Sequence, residues 1–324
     1  MKILHSLTYK TNLFDMLQKK YSDIQFVRIE TPEDIKRECS DCDALIVAGS
    51  RYNNEVADTL RQHAKKLRWI QAGSDGLDKF VKPGIPDGVT ITNTSGTKGG
   101  TIAEHAIGLL IALHQKIHRY ERMRDNRDWQ AGRIAMRPLV GSIENQTLLI
   151  LGYGHIGKEI ARKAKAFDAT VIAFNRSGKN GGEADEVVSI EKLHDYLPKA
   201  DAVFFSMPFT KQTRGIFGAK EIGMVKDGAM IVNVARGELI DTDAMVKALQ
   251  EGKLGGAGLD VIEPEPLPAD HPLWDIENVI VSPHVAGHGG PLYERIAELY
   301  ADNIERFYNG EPLRNIINLE DHAV

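Results

Sequence analysis

The sequence predicts an α/β chain made of two doubly wound parallel-sheet domains, and three observations carry that prediction. Short apolar, β-rich segments recur with helical stretches between them. They fall into two series separated by one long amphipathic stretch. The second series opens on a glycine-patterned turn. Alternation of this kind is the signature of parallel strands joined by crossover helices, since parallel neighbours cannot be linked by a tight turn.

Taken in order, the first series comprises Ile3 to Leu7, Ile24 to Ile29, Ala44 to Ala48, Trp69 to Ala72 and Thr90 to Thr94. From about Thr101 to Met123, the residues Ile102, Ala106, Leu109, Leu110, Leu113, Ile117 and Tyr120 fall on one helical face, which predicts a single long helix bridging two domains. The second series runs through Thr147 to Leu151, Val171 to Phe174, Ala202 to Phe205, Met230 to Val234, Ala257 to Asp260 and Val279 to Val281, six strands suited to a nucleotide-binding sheet. Beyond Pro283, Leu292, Ile296, Leu299, Ile304 and Phe307 form the stripe of a last helix. It stops at Asn309-Gly310 and is expected to return to the first domain. The domains are therefore placed at 1–97 with 289–324, and at 98–288.

At 324 residues, 42% hydrophobic and 26% charged, the chain is long and apolar enough for two cored domains. Its net charge of -5, with no dense basic segment, gives no field for a polyanion, so nucleic acid is not an expected partner. The first residues turn polar too soon for a signal-peptide core, and no run approaches the ~20 apolar residues of a membrane span. A cytoplasmic protein without a membrane partner is the expectation. Cys39 and Cys42 have C-x-x-C spacing but lie in a charged stretch with no second pair, so no metal site is expected.

Gly152-Tyr153-Gly154-His155-Ile156-Gly157 directly follows an apolar strand and opens a helix containing Ile160, Ala161, Ala164 and Phe167. In that setting G-x-G-x-x-G reads as a dinucleotide-binding turn. The first glycine permits the tight turn, the second lets backbone amides approach a pyrophosphate, and the third allows close helix–strand contact. About 20 residues on, where NAD-preferring domains place an acidic residue, stands Asn175-Arg176-Ser177. The neutral Asn175 removes a charge that would repel a 2′-phosphate, Arg176 offers a donor fork and Ser177 a hydroxyl, which predicts NADP(H) as the preferred cofactor and NAD(H) as the weaker one. Arg176 as a solvated surface arginine is the alternative.

Three polar residues near strand ends of the second domain could serve hydride transfer to a 2-oxo acid. Such a reaction needs a cation for the carboxylate and polarised carbonyl, a proton donor, and a partner for that donor. They are Arg236 in Asn233-Val234-Ala235-Arg236-Gly237, Glu265 in Asp260-Val261-Ile262-Glu263-Pro264-Glu265-Pro266, and His284 in Ser282-Pro283-His284-Val285-Ala286-Gly287. Singly, Arg236 could pair with Glu238 or Asp241, His284 could be a satisfied helix-entry histidine, and Glu265 could be a solvated side chain.

These segments, with the glycine turn and the Asp-His-Pro-Leu-Trp run ending at Trp274, closely resemble the D-isomer-specific 2-hydroxyacid dehydrogenases. The resemblance runs from Ala72-Gly73-Ser74-Asp75-Gly76-Leu77-Asp78 to Gly310-Glu311-Pro312-Leu313. It implies a flavodoxin-like substrate domain and a Rossmann NAD(P)-binding domain with the active site in the cleft between them. It further implies that Arg236 binds the substrate carboxylate and carbonyl, that His284 is the acid/base, and that a buried Glu265 carboxylate holds His284 and favours its protonated form. The amides of Asp75, Gly76 and Leu77 would meet the substrate carboxylate. Met207, Pro208 and Thr213 would border the adenosine side. Val234, Ala235, Asp260 and Gly287 would line the nicotinamide side, with Asp260 on the carboxamide, and Thr101 would contact the cofactor. Other histidines, His105, His155, His271 and His288 among them, are expected to be structural or surface residues.

Glu265 argues against formate dehydrogenases, which carry glutamine there; corepressors built on the same fold remain as a nucleotide-sensing alternative. Asn175-Arg176-Ser177 with Leu267 to Trp274 resembles the NADPH-linked glyoxylate/hydroxypyruvate reductase branch. Phosphoglycerate is less favoured, since many such enzymes carry a regulatory domain and this sequence stops at Val324. Members of the family are usually homodimers, and Trp129 is the candidate to reach a partner subunit.

Overall fold

A computed structural model describes residues 1–6, 13–123, 127, 129–179 and 181–319. The chain divides into two compact units, Met1–Thr97 with Gly290–Val324, and Lys98–Gly289. The first unit starts with β1 (Lys2–His5), α1 (Leu13–Lys20), β2 (Gln25–Arg28), α2 (Pro32–Glu38), β3 (Ala44–Val47), α3 (Asn54–His63), β4 (Trp69–Ala72), α4 (Asp78–Val81) and β5 (Thr90–Thr92). The second holds α5 (Gly99–His114), α6 (Ile117–Met123), α7 (Trp129–Met136), β6 (Thr147–Leu151), α8 (His155–Lys165), β7 (Thr170–Asn175), β8 (Glu186–Ser189), α9 (Leu193–Tyr196), β9 (Ala202–Phe205), α10 (Ala219–Met224), β10 (Ala229–Asn233), α11 (Thr242–Gln250), β11 (Leu254–Leu259) and β12 (Val279–Val281). The chain then returns to the first unit with α12 (Leu292–Asn309) and β13 (Ile316–Ile317).

In the first unit the strand order is β13-β5-β4-β3-β1-β2, parallel except for β13, which pairs antiparallel with β5. β3 and β4 are buried along their whole length, as expected of central strands covered on both faces by helices. A buried polar chain fastens α12 to this sheet. Trp69 Nε1 donates to Thr92 Oγ1 (2.8 Å), Thr92 Oγ1 donates to Gln71 Oε1 (2.8 Å), and Asn303 Nδ2 donates to the same oxygen (3.1 Å). Cys39 and Cys42 are both free and fully buried, and burial pushes the Cys42 thiol up to about 12, which makes it inert as a thiolate. No cluster of His, Cys, Asp or Glu able to hold a metal occurs among the described residues.

The second unit's sheet has seven parallel strands in the order β12-β11-β10-β9-β6-β7-β8. The sequence showed six of them. The seventh, β8, is an edge strand of four residues whose Glu186 and Ser189 ends hide it from a search for apolar runs. The long helix expected over 101–123 is two helices. Lys116 takes a left-handed conformation (φ 57), and the chain end of α5 is held by Gly141, whose N–H donates to His114 O (2.9 Å) and whose carbonyl accepts from Gln115 Nε2 (2.7 Å). α5 itself lies wholly in the second unit, packed on β10, β11 and α8. Leu7, expected in the first strand, lies outside the described residues. No described helix is long and apolar enough to cross a membrane.

Candidate active site

The first component is the turn between β6 and α8. Gly152 has φ +103, and Gly157 stands so close behind it that a Cβ there would overlap the Gly152 carbonyl oxygen. Ser206 Oγ donates to that same carbonyl (2.7 Å), so the turn is clamped against the end of β9. At Gly154, by contrast, the space a side chain would fill is open, and this N-cap residue of α8 makes no side-chain cap. The first amides of α8, beginning at His155 and Ile156, have no partner within the helix and carry the positive end of its dipole. The turn thus fits a dinucleotide pyrophosphate: small, amide-lined and uncapped. Tyr153 has its side chain in the core, where its hydroxyl accepts from Ala184 N (2.9 Å), so only its backbone faces the turn.

β7 ends at Asn175, whose Oδ1 accepts from Ser177 N (3.1 Å), Ser177 Oγ (3.3 Å) and Gly178 N (2.6 Å). Asn175 is therefore the organiser of this loop. Arg176 is exposed beside it and forms no ion pair among the described residues. Past β9, Met207 packs partly buried against the core, and Thr213 Oγ1 donates to Pro208 O (3.0 Å), closing the loop that follows Met207-Pro208.

Across β9 from the glycine turn lie the ends of β10, β11 and β12. Val234 and Ala235 are buried there, and Ala235 N donates to Asn233 Oδ1 (3.0 Å) while Asn233 Nδ2 donates to Arg236 O (2.8 Å). That bracing fixes the backbone of the half-buried Arg236, whose Nη1 donates to Ala235 O (2.7 Å). Gly237 lies directly against the Ile262–Glu263 peptide, where any Cβ would collide, so the loops after β10 and β11 are in backbone contact.

Asp260, at the end of β11, is 3% exposed and spends its carboxylate on the next loop. Oδ1 accepts from Ser282 Oγ (2.6 Å) and Val285 N (2.9 Å), and Oδ2 accepts from Ala286 N (3.0 Å). Its carbonyl accepts from His284 N (2.9 Å). These bonds hold His284 in a left-handed conformation (φ 55), which a non-glycine residue adopts only when its surroundings enforce it. His284 Nδ1 stands 2.7 Å from Glu265 Oε1. The two side chains are 49% and 47% exposed, so the carboxylate expected to be buried is half open to solvent. The arrangement keeps Nδ1 bound to a carboxylate and leaves Nε2 for proton exchange.

Gly287 and Thr101 flank this region, Gly287 beside Lys98 and Ile102 near the start of α5, and Thr101 beside Gly289. His105, one turn on from Thr101 and expected to be a structural or surface residue, has its Nε2 2.8 Å from Ser282 Oγ. In the first unit, the loop after β4 carries Asp75, Gly76 and Leu77. Asn93 Nδ2 donates to Asp75 O (2.8 Å), Thr94 Oγ1 donates to the Asp75 carboxylate, and Ser74 Oγ donates to Gly76 O (2.8 Å).

Residues 107–286 match the family model described as the D-isomer specific 2-hydroxyacid dehydrogenase NAD binding domain. A glyoxylate reductase from Korarchaeum cryptofilum is 34% identical over 281 residues, covering 86% of this chain and 84% of that one. A glyoxylate reductase from Thermococcus gammatolerans is 31% identical over 326 residues, covering 98% and 96%. Among solved structures, a D-isomer specific 2-hydroxyacid dehydrogenase family protein from Aeromonas salmonicida subsp. salmonicida superposes with a TM-score of 0.84 at 30% identity, covering 98% of this chain and 99% of that one.

Proposed function

Since the chain belongs to the D-isomer-specific 2-hydroxyacid dehydrogenases, NAD(P)-dependent oxidoreductases acting on CH–OH groups, we propose that it is an NADP(H)-dependent reductase of glyoxylate, hydroxypyruvate or a similar small 2-oxo acid. The observation that carries the reading is the 2.7 Å contact of His284 Nδ1 with Glu265 Oε1 on a histidine held by Asp260. A dihydronicotinamide bound through the glycine turn supplies a hydride to C2. This chain's residues do the rest. Glu265 accepts a hydrogen bond from Nδ1–H and keeps the ring oriented, so the His284 imidazolium gives its Nε2 proton to the developing alkoxide and ends as the neutral Nδ1–H imidazole. Arg236 pairs with the substrate carboxylate and polarises the carbonyl, and the Asp75, Gly76 and Leu77 amides are assigned to the same carboxylate.

The preference for NADP(H) is assigned to Arg176 and Ser177, in a loop organised by the uncharged Asn175. A charged hydrogen bond of ~1.5–3 kcal/mol corresponds to a tenfold to hundredfold preference. Thr101, Val234, Ala235, Asp260 and Gly287 are assigned to the nicotinamide side, and Met207, Pro208 and Thr213 to the adenosine side. The protein is further proposed to be a homodimer. Trp129 (86% exposed) and Ile134 (67%) stand out of α7, and Trp129 lines a cavity of ≈ 770 Å³ together with Tyr120, Met123 and Met136. Light scattering that returns a monomer removes the dimer.

Initial rates of NADPH and NADH oxidation with glyoxylate, hydroxypyruvate, pyruvate and longer 2-oxo acids test the function. Turnover favouring NADPH supports it, turnover with NADH alone removes the role of Arg176, and silence with every acid overturns the reductase.

A further inference from the structure

The loop that carries His284 is braced from a helix outside the strand ends. Ser282 Oγ is 2.6 Å from Asp260 Oδ1 and 2.8 Å from His105 Nε2, while His105 Nε2 is 3.6 Å from Asp260 Oδ1. The direction of this chain follows from proton counting. An ionised carboxylate only accepts, so the single Ser282 hydroxyl proton goes to Asp260. Ser282 then offers lone pairs to His105, and His105 Nε2 must carry the N–H. The relay runs His105 to Ser282 to Asp260, and Asp260 in turn accepts the Val285 and Ala286 amides directly after His284 on its carboxylate and the His284 amide on its carbonyl. His105 is largely covered on α5, with 28% of its side chain exposed, and its Nε2 faces Ser282 and Asp260 rather than the His284 ring.

We infer that His105 is a positioning residue: by donating from Nε2 to Ser282 it fixes the Ser282 rotor on Asp260, and so keeps the left-handed His284 aimed for proton transfer. The inference rests on the reading of His284 as the proton donor. A donor bond lost two links away acts through geometry, and displacements well under 1 Å already slow an aligned proton transfer by roughly tenfold.

The test compares His105→Phe, which keeps a ring and loses the donor, with His105→Gln, whose amide nitrogen reaches a position near Nε2. Ser282→Ala serves as an independent break in the relay should His105→Phe fold poorly. Expected for His105→Phe is a roughly tenfold fall in kcat, with KM for NADPH and for the 2-oxo acid within about twofold of the parent. His105→Gln recovers most of kcat, and His105→Phe combined with Ser282→Ala is no worse than Ser282→Ala alone. Amide exchange over residues 282–286, followed by mass spectrometry without substrate, is faster in His105→Phe and near normal in His105→Gln. Equal damage from Phe and Gln, multiplying losses in the double variant, or unchanged exchange would overturn the relay. If the parent protein reduces no 2-oxo acid, the reductase reading fails by itself and the exchange measurement still decides the role of His105.

Discussion

Each sheet reverses its strand order once, between β1 and β3 in the first unit and between β6 and β9 in the second, and the two reversal points are finished in opposite ways. Both are pinned by a serine: Ser6 N donates to Ile46 O (2.9 Å), and Ser206 N donates to Leu151 O (2.9 Å). In the first unit, however, the starts of α2 and α3 are consumed by their own side chains. Thr31 and Asp34 form a capping box at α2, and Asn53 caps α3 through Val56 N. The amides of Glu30 and Thr31, with Arg37, hold the Asp34 carboxyl far below the usual range. The anion position at α2 is thus already filled by a carboxylate of the chain. At α8 the cap is Gly154 with no side-chain bond, so the positive helix end stays available. Crevices at strand reversals are where such sheets take ligands, and the start of α8, unlike those of α2 and α3, carries no side-chain cap.

The largest effect expected from this contrast concerns chemistry in the second unit alone. His284→Ala should lower kcat by about 10²–10⁴-fold while NADPH binding, read by fluorescence titration, is nearly unchanged. Turnover like that of the parent would remove the proton donor. Next, Gly154→Asp gives α8 an N-cap side chain like the one Asn53 provides at α3. Because the space there is open, the fold should tolerate it, and the thermal midpoint should hold or rise while NADPH affinity drops by roughly hundredfold. Retained affinity would erase the distinction between the two reversal points. Arg176→Asp should weaken NADPH by about tenfold to a hundredfold more than NADH, and equal losses would strike Arg176 from the cofactor site.

The smallest effect belongs to the first unit and to pH. His5 is 7% exposed and stacked on Phe14 at 3.6 Å. Burial, helped by the positive charge of Arg28, lowers its imidazole to about 4. The native state therefore excludes a proton that the unfolded chain binds below about 6.5, so the contribution of His5 is whole above 6.5 and shrinks as pH falls toward 4. At pH 5.5 the loss is about 1 kcal/mol. Thermal unfolding at pH 7.5 and 5.5 should show a smaller acid decrement in His5→Leu than in the parent. An identical decrement would mean that His5 is not the acid-sensitive group.

What could be read from residues alone follows a physical division. The glycine turn, the strands and the order of Arg236, Glu265 and His284 are local signals, each written within one loop. The break at Lys116 is invisible to periodicity because Leu113 and Ile117 keep helical spacing straight through it; the stop comes from Gly141, far along the chain. β8 escaped because an edge strand need not be apolar throughout. The bond of His105 to Ser282, 177 positions away, is contained in no window of sequence. Between a buried and a solvated Glu265 the sequence does not choose, since burial is a property of what packs around a turn, and the side chain is half-exposed.

The peptide contact at Gly237 has a practical side for anyone reshaping the substrate range. With no room for even a methyl group against Ile262–Glu263, the segment bearing Arg236 and the segment bearing Glu265 behave as one machined joint. Any side chain at position 237 would push the two segments apart. Diversity is better introduced in both stretches together, with position 237 left as glycine.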